Sequence, residues 1–138
     1  MPATGFYGVL IAAIGYSHLL QPPLTLLLSR RLGLASHFRA LPPLASAIAQ
    51  NMALASVALP TTLGVWLAIH ARSALEPGAV RQLAALLALF WCWRLVRQLG
   101  TLRRAWGPQH RGWIGGLAVI FVVQGPALLV VLLLGSRR

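Results

Sequence analysis

The sequence predicts an all-α integral membrane protein, one domain over residues 1–138 folded as a bundle of four transmembrane helices. Hydrophobic residues make up 58% of the 138-residue chain and charged residues only 9%, against about 25% charged in an ordinary soluble domain. Four continuously apolar runs, each long enough to cross a hydrocarbon layer of roughly 30 Å, account for most of the chain. None alternates at period two as a barrel strand does, and helices satisfy their own backbone in lipid.

The first span is expected over about 5–28 and stops at Arg30 and Arg31. Its start has neither the basic segment nor the small-residue cleavage site of a signal peptide, so it reads as a retained helix. The second span, about 44–69, follows a connection holding His37, Arg39 and the breakers Pro42 and Pro43. After the turn Glu76-Pro77-Gly78 the third span covers about 80–99, with Arg81 and Arg94 snorkelling to opposite interfaces. The fourth, about 113–134, ends at Arg137 and Arg138. Each hairpin has a Gln near the end of its first helix (Gln21, Gln98), then an Arg pair, then a mid-span proline (Pro60, Pro126); parallel repeats are a known membrane design, but the unequal spacing of these landmarks favours coincidence.

All 12 basic residues besides histidine are arginines, and Glu76 is the one acid, giving a net charge of +11. Lying mainly between apolar runs, the arginines read as topology signals and contacts to anionic lipid headgroups, with no nucleic acid partner. Eight of the 12 fall in or beside the connections 29–43 and 100–112. That bias places both connections in the cytoplasm of a bacterial inner-membrane protein, with both termini on the other side.

Polar residues inside lipid are costly and therefore informative. Alternating helix directions put His18 near the depth of Ser56, Cys92 and Gln124, with Gln21, Gln50, Asn51, Arg94, Arg97 and Gln98 towards the cytoplasm. His18 is the mid-membrane group able to exchange protons near neutral pH. Pro22, Pro23, Pro60 and Pro126 remove amide donors from the carbonyls of His18, Leu19, Ser56 and Val122, which must find other partners or open a cavity. Phe90, Arg94 and Arg97 share a helical face. Two readings stand side by side. In one, Trp91, Trp93, Arg103, Arg104 and Trp106 form an interfacial belt in contact with lipid. In the other, Arg94, Arg97 and Gln98, with Gln21, His18 and Asn51, hold an anionic headgroup or an amphipathic substrate.

The residue types exclude several chemistries. Paired carboxylates, a phosphate loop and a metal-ligand cluster are absent from the sequence, and a Ser-His-acid triad has no acid at the required depth. No cofactor or metal is expected, and the lone Cys92 forms no internal disulfide. The segment Gln50-Asn51-Met52 near the start of the second span resembles the Asn-containing stretch of the four-helix membrane enzymes of eicosanoid and glutathione metabolism. Size, span count and cytoplasmic arginines are similar too. That resemblance implies a glutathione-type activity, although the family's acid three residues after the Asn is Leu54 here and its preceding basic residue is missing.

Whether the chain is an enzyme stays open on the sequence. The leading expectation is a non-enzymatic subunit, scaffold or lipid-binding module that associates with itself or a larger membrane complex. The small residues Gly5, Gly8, Ala12 and Gly15 would allow close helix approach. The second expectation is an enzyme or carrier for an amphipathic anion, and the third a small channel.

Overall fold

The computed structural model describes residues 2–105 and 111–135, and these are helical with short turns and no strand. In chain order the helices are α1 (Pro2–Ser17), α2 (Gln21–Arg31), α3 (Leu34–Arg39), α4 (Pro43–Ile69), α5 (Ala79–Ala105), α6 (Arg111–Val122) and α7 (Leu128–Gly135). Four stretches are long and apolar enough to cross a membrane: Gly5–Arg31, Pro43–Ile69, Ala79–Arg97 and Ile114–Gly135. Helices of 27 residues, as in α4 and α5, extend about 40 Å at 1.5 Å per residue, beyond a hydrocarbon core of roughly 30 Å.

Prolines shape the two composite spans. Between α1 and α2 the chain tightens into a 3₁₀ turn, His18–Leu20, in which the Gln21 amide donates to the His18 carbonyl. Pro22 cannot supply the ordinary bond to that carbonyl, so the turn closes one residue earlier. Between α6 and α7 a π turn, Val123–Ala127, surrounds Pro126. There the wider i→i+5 pattern accommodates the missing donor. Pro60, in contrast, lies within an uninterrupted α4.

α4 lies against α1, α1 against α7, and α5 against α6 and the π turn. Small residues set the closest crossing. A Cβ on Gly15 would come within 2.6 Å of the Gly64 carbonyl and 2.8 Å of Ala68, so α1 and α4 approach backbone to backbone. The direction is antiparallel: Gly8 approaches Arg72, Gly15 approaches Gly64, and Thr61 reaches His18. At the other helix pair, Gly135 packs against Leu75 and Tyr7. The core runs through Ile11, Leu67, Ala88, Trp91 and Leu128.

Several boundaries differ from the sequence reading. α5 continues to Ala105, past the expected end at 99, because leaving the apolar layer does not end a helix and no proline or helix-stopping glycine pair intervenes. The first connection is itself folded: Gly33, in the left-handed conformation at φ 61°, turns the chain into the short α3. Gly8, Ala12 and Gly15, expected to serve association with another chain, are turned inward, with Gly15 spent on the contact with α4.

Candidate functional site: a polar knot inside the bundle

Three polar residues are buried in the apolar interior: His18 and Gln124 with no exposed surface, and Gln21 with 3%. They meet because the 3₁₀ turn and the helix ends that flank it set Ser17, His18 and Gln21 together, where Ser17 and Gln21 reach Gln124 of the π turn. Gln21 Nε2 donates to Gln124 Oε1 at 2.7 Å, and Gln124 Nε2 to Ser17 Oγ at 3.4 Å. Ser17 Oγ donates in turn to the Ile14 carbonyl at 2.6 Å. His18 Nδ1 lies 3.0 Å from the same carbonyl and 3.2 Å from that of Gly15.

The other ring nitrogen fixes the protonation state. Trp91 Nε1 donates to His18 Nε2 at 2.8 Å, and an indole N–H can only donate. Nε2 therefore carries a lone pair, and the proton of a neutral imidazole sits on Nδ1, where it donates to the backbone. Gly64 of α4 floors the ring, since a Cβ there would collide with His18. Thr61 Oγ1 donates to the His18 carbonyl at 3.4 Å, a second donor beside the Gln21 amide. A single residue thus ties α1 to both α4 and α5.

Trp91 continues the cluster on its other sides. Its ring stacks on Phe121 at 5.4 Å between centroids and meets His18 edge-on at 5.6 Å. Arg94 places its guanidinium 5.0 Å from the Trp91 ring centre, with Phe90 and Phe121 at 5.9 and 5.8 Å. From there Arg94 Nη1 donates to the Ser56 carbonyl at 2.9 Å. That carbonyl is the one Pro60 leaves without its helical donor. The half-buried arginine thus bridges α5 to α4 at a proline defect, held by aromatic faces that attract a cation.

The residues singled out in the sequence separate into two groups. His18, Gln21 and, through the indole of Trp91, Arg94 come together, whereas Arg97 and Asn51 are exposed and join none of these contacts. Trp91, expected in the lipid-facing belt, has no exposed surface and is a core residue bonded to His18. Trp93 is 60% exposed and Arg104 is exposed. Trp106 and the side chains of Gln98 and Arg103 lie outside the described residues. Partners in α4 also differ from expectation: His18 lies level with Thr61 and Gly64, while Ser56 sits beside Arg94.

Among the described residues no group of three His, Cys, Asp or Glu could hold a metal ion. No buried side-chain nitrogen or oxygen among them lacks a hydrogen-bond partner. Fold and site together define a helical bundle with four candidate membrane spans and a closed internal polar network. No protein-family model, characterised protein or solved structure matches the chain.

Proposed function

We propose that the protein is a non-enzymatic module of the bacterial inner membrane, a small subunit or scaffold that associates with itself or a larger membrane protein and contacts anionic lipid. Asn51 carries this reading. Its side chain is exposed on α4 and has no hydrogen-bond partner among the described residues. Ala47, Ala55 and Ala58, also exposed, share its helical face. A carboxamide facing hydrocarbon is costly, and between helices it both donates and accepts. Small neighbours let a second helix come close enough to meet it.

Two further features support the reading. Both ring nitrogens of His18 and the facing amides of Gln21 and Gln124 are engaged inside the chain, so the buried polar groups serve cohesion. Arg30, Arg31, Arg39, Arg97, Arg104 and Arg111 are exposed. They suit anionic headgroups at about 1 kcal/mol each, and their bias favours cytoplasmic first and third connections.

The test is the mass of the detergent-purified protein by native mass spectrometry, for the wild type and for Asn51→Leu. An oligomer or hetero-complex with bound lipid is expected, with the Leu variant shifted towards monomer. A strict monomer free of protein and lipid would sink the proposal.

A further inference from the structure

We propose that the His18–Trp91 pair is an acid-sensitive latch between α1 and α5, closed while the imidazole is neutral and opened when a proton binds Nε2. The argument rests on donors and acceptors. At 2.8 Å the bond uses the lone pair of Nε2 to accept the Trp91 N–H. The indole has nothing to accept with, so it cannot reverse the bond. Nδ1 is already committed to the carbonyls of Ile14 and Gly15 as a donor. A proton from solvent arriving at Nε2 would set N–H against N–H, and the ring and indole must part.

The surroundings offer no compensation. From α4 the ring meets Gly64 and, at its carbonyl, Thr61, neither of which ionises. From the π turn comes Gln124, whose amide is bonded to Gln21 and Ser17, and from α6 Phe121 stacks beyond Trp91. From α5 the charged group is Arg94, a cation on the Trp91 ring. No carboxylate is available to balance an imidazolium, because the one acid of the chain is Glu76, exposed in the turn before α5. Both the hydrogen-bond mismatch and the nearby positive charge push the protonated state towards separation. Trp91 is stacked on Phe121 and beside Arg94, so its release also loosens the bridge from Arg94 to Ser56.

The experiment uses the full chain in lipid nanodiscs, labelled with ¹⁵N-tryptophan, and follows the indole N–H resonance of Trp91 from pH 8 to pH 4. Trp91→Phe assigns the signal. The hydrogen-bonded resonance is expected to lose its downfield shift on acidification and regain it on neutralisation. His18→Gln is the decisive variant. Its carbonyl oxygen can accept from Trp91 and its amide can donate to the backbone, so the latch closes but cannot take up a proton. Its indole resonance is expected to hold its position across the range. A resonance that stays fixed to pH 4 in the wild type, or moves equally in His18→Gln, would overturn the proposal. If His18→Gln fails to fold, the change of His37, His70 and His110 together to Gln replaces it. The acid shift must survive that change, and its loss would assign the effect elsewhere.

Discussion

The two halves of α4 obey different rules. From Thr61 to Ile69 the helix is locked into the bundle, with Gly64, Leu67 and Ala68 buried and Pro60 at the boundary. From Pro43 to Leu59 it has no buried residue. Leu44, Met52, Leu54 and Leu59 are each more than 60% exposed there. Composition differs too: six alanines lie between Pro43 and Leu59 and one, Ala68, between Thr61 and Ile69. The locked half meets α1 through glycine, which brings backbones together and admits the imidazole. The open half presents exposed leucines interspersed with alanines, and the exposed amide of Asn51. Burial is thus concentrated in one half of the helix, and the other half is tied to the bundle at Ser56 through Arg94.

Substitutions can break this division in turn. The largest effect is expected from Gly64→Val, whose Cβ would overlap the His18 ring. Overpacking of this kind costs about 1–3 kcal/mol or more, and thermal unfolding in detergent should show a large drop, while Ala58→Val in the open half should leave the midpoint nearly unchanged. Trp91→Phe comes next. It keeps most of the ring stacking but strands Nε2 of His18, a loss of about 1–3 kcal/mol for an unsatisfied buried acceptor, again read by thermal unfolding.

A smaller effect is expected for Arg94→Met, about 1 kcal/mol through the lost bond to Ser56. Pro60→Ala restores an amide donor to that carbonyl, so in its background the Arg94→Met penalty should shrink. A double-mutant cycle measures the difference, and strict additivity would refute the pairing. Asn51→Leu should alter folding stability least, within about 0.5 kcal/mol as for other peripheral changes. Its expected effect is on oligomer mass. A stability loss as large as that of Trp91→Phe would place Asn51 in the fold and erase the contrast between the halves.

Much of the fold was legible because it follows from solvent. Four apolar runs between arginines and turns leave little choice, and alternating directions put His18 near the depth of Gln124 and Cys92, although Ser56, expected at the same depth, lies beside Arg94. Rotation about the helix axis was not legible. α5 is apolar on most sides from Leu83 to Trp93, so periodicity does not separate the two tryptophans: both are expected in the belt, yet Trp91 is fully buried and Trp93 is exposed. Gly64 was missed as well. The available signal was a lone glycine in a long apolar helix, a costly residue there unless another group needs its space. That Pro60 frees Ser56 could be deduced, but its donor could not, because Arg94 comes from a distant hairpin.

Ser56 and Arg94 belong to different halves of the polypeptide, the first in the hairpin of α1–α4 and the second in that of α5–α7. Without that contact the first hairpin would keep a carbonyl lacking its amide donor, and the second a cationic side chain among its aromatic neighbours. The defect in one hairpin is therefore the acceptor for the other, and docking of the two satisfies both. Two fragments divided in the turn before α5 and produced together should find each other in the membrane without a covalent link.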